Sequence, residues 1–206
     1  MSLTVEDLCT ASNNLRDYVK DQNRGTEIQE FQMMGLYGTY YIAANYRRAS
    51  RLIPTDVSLI NGAIGWQGKV KSAVRANSAK VAAGKNTAQQ LVIIDGVSDS
   101  DTIIHAEQTL LLVLAYKLKD GMTAPNVAIG GCKVPCSKCF TVLTALADAY
   151  KQEYKKVLDF NGNRVGAYNT NGDAKIKKLD LDGIFADDKG KKTFFADMVA
   201  SYTAAL

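Results

Sequence analysis

Three features of the chain predict an α/β layer fold. Short apolar, β-branched runs (Leu91-Val92-Ile93-Ile94, Val127-Ala128-Ile129 and Val157 to Phe160) recur along the second half. The stretches between them, 106–118 and 136–151, are rich in Leu and Ala and contain no Gly or Pro. Strands alternating with helices in this way build a sheet covered by helices. The 206 residues, 47% hydrophobic and 22% charged, suffice to bury a substantial core.

Taken in order, residues 4–50 read as helical. Leu8, Leu15, Tyr18 and Val19 make an apolar stripe, and Arg24-Gly25 marks a break. A second helix is expected from about 27 to 50, with Phe31, Met34, Tyr37, Tyr41 and Ala44 on one face and Pro54 stopping it. Aromatic residues at this spacing read as core before they read as a base-stacking platform. Residues 1–54 are therefore expected to form an N-terminal helical extension on a domain of residues 55–206. Over 55–85 the pattern favours a helix followed by a short strand. Val57 to Ile64 reads as a strand or as a buried helical start; 68–83 continues as helix, or 78–83 pairs with the next strand across Gly84-Lys85-Asn86.

The strand at 90–95 ends on Asp95-Gly96, and a polar loop, 98–101, leads towards His105. From Ala106 to Leu118 the apolar residues cover most of the helical circumference, so this helix should be buried. The strand at 126–131 ends on Gly130-Gly131, which permits close backbone approach. Pro135 suits the start of a helix running from Cys136 to about Lys151. A strand at 156–160 follows, then a Gly-, Asn- and Lys-rich loop over 164–181. An amphipathic helix over 191–205 carries Phe194, Phe195, Met198, Val199 and Tyr202.

No apolar run reaches the roughly 18 residues of a membrane-spanning helix. The acidic start, Met1 to Asp7, lacks the basic and apolar regions of a cleaved signal peptide, so the expectation is a cytoplasmic protein or one delivered without such a signal. A net charge of +4, spread along the chain, permits a nucleic-acid partner without arguing for one. Of four cysteines, Cys132, Cys136 and Cys139 crowd together, which suits a metal site better than a disulfide framework. Cys9 reads as a helix-face core residue, and Cys132 as a small buried thiol at a strand end.

The chemistry concentrates in His105-Ala106-Glu107 and Pro135-Cys136-Ser137-Lys138-Cys139. A histidine nitrogen and two thiolates supply three tetrahedral positions for zinc and leave the fourth for water. Cys136 and Cys139 share one face of a first helical turn, where the macrodipole favours thiolates. Glu107 is placed to handle protons rather than to bind metal. His105 is the only histidine in the chain. A closed site with Cys132 as fourth ligand, and a redox C-x-x-C, are the alternatives.

H-x-E followed by P-C-x-x-C resembles the cytidine deaminase superfamily of zinc enzymes. The resemblance covers about residues 60–165. It implies a three-layer α/β/α fold with a mixed central sheet of about five strands, making 55–206 the zinc deaminase domain. It also implies zinc ligands His105, Cys136 and Cys139, a catalytic Glu107, and substrate contacts from backbone N–H groups near Ala106 and Cys136. Pro135, Trp66 as a base stacker, and Asn86 or Asn77 as the sugar-holding asparagine complete the candidate contacts. Arg47, Arg48, Arg51, Lys69, Lys71 and Arg75 are candidate groove residues; each also reads as a solvated surface residue and Trp66 as core. Cys132-Lys133-Val134 stands where APOBEC-type members carry Ser-Trp-Ser, and His-Ala-Glu where free cytidine deaminases usually carry Cys-Ala-Glu. The His-Ala-Glu-Gln lead-in and N-terminal helices look most like divergent bacterial toxin-type deaminases. The expected activity is hydrolytic deamination of a nucleobase, cytosine before adenine, in single-stranded nucleic acid or a nucleotide, with an immunity protein as partner if the chain is a toxin. A free nucleoside deaminase and a non-catalytic, zinc-stabilised binding module are the rival readings.

Overall fold

In the computed structural model, which describes residues 3–22, 30–66, 68–77, 80–81, 90–95, 105–119 and 121–160, a mixed sheet lies between two layers of helix. The described elements are α1 (Val5–Gln22), β1 (Phe31–Leu36), β2 (Thr39–Ala44), α2 (Arg47–Arg51), α3 (Val57–Ile64) and β3 (Ala73–Ala76). There follow β4 (Leu91–Ile94), α4 (Ala106–Lys119), β5 (Val127–Gly131), α5 (Ser137–Tyr154) and β6 (Leu158–Phe160). The strand order is β3-β4-β2-β1-β5-β6. β1 runs antiparallel to both its neighbours, and every other described pair is parallel.

The sheet is buried on both faces. Met34, Leu36, Tyr41, Val92 and Ile94 point into a core shared with Leu110, Leu111 and Leu114 of α4 and Leu143, Leu146 and Tyr150 of α5. Phe31, Met33, Ile42, Leu91 and Ile93 point the other way, onto Leu8, Leu15 and Val19 of α1 and Ile60 and Ile64 of α3. α4 is buried from Ala106 to Ala115, as its all-round apolar sequence predicts.

Local chemistry sets the ends of the elements. Thr4 and Asp7 cap α1 reciprocally: the Asp7 carboxylate accepts from the Thr4 N–H at 2.9 Å, and the Thr4 hydroxyl accepts from the Asp7 N–H at 3.2 Å. Asp56 accepts from the N–H groups of Ser58 and Leu59 at the start of α3, and Gly65 ends that helix at φ 66°. Val57–Ile64 is thus the helical start, and the strand after it lies at 73–76. No described helix is long and apolar enough to cross a membrane.

Residues 31–44, expected within a helix and a helical extension over 1–54, instead supply two interior strands of the sheet. Because both faces are buried, Phe31-Gln32-Met33-Met34 and Tyr40-Tyr41-Ile42-Ala43-Ala44 carry almost no polar alternation, and the period of two is hidden. The connecting turn, Tyr37-Gly38, has positive φ at both residues (46° and 78°), the pattern of a type I′ hairpin. Tyrosine occupies a position where Asn or Asp would have announced it. Tyr37 is an exposed turn residue, not part of a buried stripe. The loops expected at 98–101 and 164–181 and the helix expected at 191–205 lie outside the described residues.

Candidate metal centre

Four chain segments converge at one end of the sheet's central strands, where β1 begins and β2 and β5 finish. Since β1 is antiparallel to β2 with Phe31 opposite Ala44, the residue before β1, Glu30, lies beside the one after β2, Asn45. Gln32 pairs with Gly131 at the end of β5, from which the chain passes directly to α5. α4 begins at the same end, with the Ala106 N–H on Asn45. Ligand sites in α/β sheets form outside the carboxyl ends of strands, where the connections diverge.

His105 directly precedes α4, and Cys136 is the N-cap of α5. His105 Nδ1 lies 3.5 Å from Cys136 Sγ and 3.3 Å from Cys139 Sγ. The three donor atoms all fall within 4.8 Å of one another, a group that can hold a metal ion. Two tetrahedral zinc ligands, one N at about 2.0 Å and one S at about 2.3 Å, stand about 3.5 Å apart. Cys132 is outside the group. It exchanges hydrogen bonds with Phe31, whose N–H donates to Cys132 Sγ at 3.2 Å, and it packs with the α1-side core. Burial pushes its thiol up. Cys9 is half-buried on α1, also with its thiol raised by burial.

The two site cysteines respond oppositely to their closeness. The Cys139 thiol donates towards Cys136, which lowers Cys136 to about 4, helped by His105 and by the Cys139 N–H. The same bond, then burial, pushes Cys139 far up. Without a cation the pair therefore keeps one proton between two sulfurs.

Glu107 is 1% exposed. Its carboxyl is raised well above the ordinary range, first by burial, then by the charge of Glu30, with Cys136 adding to both. Its Oε1 lies 3.5 Å from Gln32 Nε2, and its Oε2 meets no donor among the described residues. Gln32 Nε2 also donates to Glu30 Oε1 at 2.8 Å and to the Lys133 carbonyl at 3.0 Å. Asn45 Nδ2 donates to Glu30 Oε2 at 2.9 Å, and Asn45 Oδ1 accepts from the Ala106 N–H at 2.8 Å. Glu30 is itself raised by burial, against the two amides that bond it.

The structure thus brings together His105, Ala106, Glu107, Cys136 and Cys139, with Pro135 buried beside the α5 cap. The Ala106 N–H is engaged by Asn45. Trp66 is elsewhere: its ring lies 4.8 Å from that of Tyr40, at the far end of β2 from Asn45, packed with the α1-side core. It belongs to that core because indole and phenol bury each other there. Asn77 is exposed and caps the turn after β3, accepting from the Lys80 N–H at 2.9 Å; Asn86 lies outside the described residues. Arg75 is tied down, donating to the Ile53 carbonyl at 2.6 Å and standing 3.9 Å from Asp95. Arg47, Arg48, Arg51, Lys69 and Lys71 are exposed. Glu30, Gln32 and Asn45 were not among the sequence candidates; two strands bring them to the site, and those strands read as helix.

Comparison of the chain with protein-family models, curated proteins and solved structures gives no match.

Proposed function

We propose that the chain is a zinc-dependent hydrolytic deaminase of a nucleobase, cytosine before adenine, presented in a nucleic acid or a nucleotide. One observation carries this reading. A buried acid, Glu107, with an oxygen that no described residue bonds, stands two residues after His105, close enough to feel the charge of Cys136 and to act on Cys139. A structural zinc site takes four protein ligands and has no use for such an acid; three ligands plus an acid suit hydrolysis.

Nitrogen and sulfur donors at these separations fit zinc, with His105, Cys136 and Cys139 holding it. Zinc held there would supply activation of water at neutral pH. Glu107 would take one proton of the attacking water at Oε2 and pass it to the ring nitrogen, then take that water's second proton and pass it to the amine, which departs as ammonia. Burial and the charge of Glu30 raise its proton affinity, which favours the proton-holding form of the shuttle. Burial around Glu107 and Gln32 excludes bulk water from the transfer.

The layered fold supports the cytidine deaminase-like reading: helices on both faces, a mixed sheet, and a metal group between two helix starts. Six described strands stand where about five were expected. Asn45, bonded to the Ala106 N–H, joins Asn86 and Asn77 as a candidate for the sugar-holding asparagine. α2 begins two residues after Asn45 and exposes Arg47, Arg48 and Arg51, which supports a polyanionic substrate. Toxin-type delivery and an immunity partner rest on the resemblance alone.

The test is to incubate zinc-loaded protein with cytidine, dCMP, single- and double-stranded DNA and RNA, assaying ammonia, uracil and hypoxanthine. Glu107→Gln should retain zinc and lose about 10²–10⁴-fold in rate. Full activity in that variant would falsify the catalytic assignment. A wild-type chain that converts none of these would favour the zinc-stabilised binding module.

A further inference from the structure

We infer that Glu30 is a positioning residue for the site, fixing through two side-chain amides the directions in which Gln32 faces Glu107 and Asn45 faces Ala106. The inference rests on the deaminase reading for its catalytic meaning and on hydrogen-bond chemistry for its structure.

The orientation of each amide is dictated by groups that have no choice. A backbone N–H can only donate, so the Asn45 atom facing Ala106 is Oδ1, and Nδ2 must face Glu30. A backbone carbonyl can only accept, so the Gln32 atom facing Lys133 is Nε2, and that NH₂ must also serve the Glu30 carboxylate. Glu30 therefore accepts from two amides, one on each oxygen. It is 8% exposed and Gln32 is 1% exposed, so neither has bulk water as a substitute partner. Each amide has its other end in the site: Gln32 Nε2 reaches towards Glu107 Oε1, and Asn45 Oδ1 holds the first N–H of α4, the residue between His105 and Glu107.

The backbone is cut to fit this arrangement. Gly131 lies opposite Gln32 in the β1–β5 pairing, and a Cβ there would overlap the Gln32 carboxamide. The side chain thus crosses β5 through the space left by a missing methyl group to reach Lys133, 101 positions on in sequence.

Glu30→Gln is isosteric but carries an NH₂. Wherever that NH₂ points, it faces either Gln32 Nε2 or Asn45 Nδ2, two donors in a dry site. The conflict is removed by adding Asn45→Asp: the new Gln would donate to one Asp oxygen and accept from Gln32, while the other Asp oxygen keeps the Ala106 N–H. The charge is conserved and every donor again meets an acceptor.

The experiment measures hydrogen exchange of the Ala106 amide by NMR on the zinc-loaded chain, wild type against Glu30→Gln and Glu30→Gln/Asn45→Asp, with zinc content determined for each. The single variant should keep its zinc and exchange Ala106 about tenfold faster or more; the double variant should return to near the wild-type rate. With the substrate that wild type turns over, the single variant should lose about tenfold in kcat with KM little changed. Unchanged exchange in the single variant, or a double variant no better protected than the single, overturns the inference. If the single variant does not fold, the double decides: folded and protected supports it, unfolded overturns it. A wild-type chain inert toward every base would sink the deaminase reading, and the exchange comparison would still decide this one.

Discussion

At the scale of single residues, the site is a contest over protons. Cys136 is held as thiolate down to about pH 4, while Cys139, bonded to it and buried, keeps its proton across neutrality. A metal needs both sulfurs deprotonated, so binding must displace the Cys139 proton. Apparent zinc affinity should then rise about tenfold per pH unit across neutral pH, read by competition with a chromophoric chelator. A flat profile would show that the pair does not share a proton. Cys139→Ser should lose most of the affinity outright, because a hydroxyl is a poor ligand for zinc. These residues were legible in the sequence because His105, Glu107, Cys136 and Cys139 stand in two short contiguous motifs. Glu30, Gln32 and Asn45 were not. They meet Ala106 and Glu107 only through strand pairing, and no local pattern announces a partner 75 positions away, the separation of Gln32 from Glu107.

At the scale of elements, two adjacent glycines in β5 do different work. A Cβ on Gly130 would stand 2.5 Å from the Val5 carbonyl and 3.0 Å from the Cys9 nitrogen, both backbone atoms of α1. Those atoms cannot swing aside, so α1 packs on β5 at a distance that only glycine permits. Gly130→Ala should destabilise the fold by about 2 kcal/mol or more, seen as a lower urea midpoint. Gly62→Ala in α3 is the matching control. Nothing lies within 4 Å of its added Cβ, and helix propensity should raise stability by up to about 1 kcal/mol. If both changes destabilise alike, the packing account of Gly130 fails. Glycine at 130 and 131 was readable as close approach; which element approached each was not, since α1 and Gln32 arrive from the other end of the chain. α4 and α5 were readable from breaker-free apolar stretches that tertiary structure had no reason to override.

At the scale of the whole molecule, β1 is the element on which the sheet turns. It is the single described strand of reversed direction, it joins β2 to β5, and its first residues reach the site. Its placement depends on the Tyr37-Gly38 turn, where Gly38 holds φ 78° with open space around it. Gly38→Val should therefore cost backbone strain alone, about 1–2 kcal/mol in thermal or urea unfolding, with zinc content unchanged. Loss of zinc at full occupancy of the folded state would mean that the turn shapes the site directly.

The reversed strand also has a history within each chain's synthesis. One side of β1 finds β2 almost at once, across two residues. The other side waits for β5: the Phe31 N–H meets Cys132, 101 positions later in the chain. At about 5–20 residues per second, that edge stays unpaired for on the order of 5–20 s while the ribosome works towards it. During that interval Phe31, Met33 and Met34 line an open apolar edge of the kind that recruits strands from other chains. Metal cannot rescue the nascent chain in the meantime, since Cys136 and Cys139 follow β5. The strand that carries Gln32, and that Glu30 directly precedes, is thus also the stretch on which a ribosome-bound chaperone has most to do.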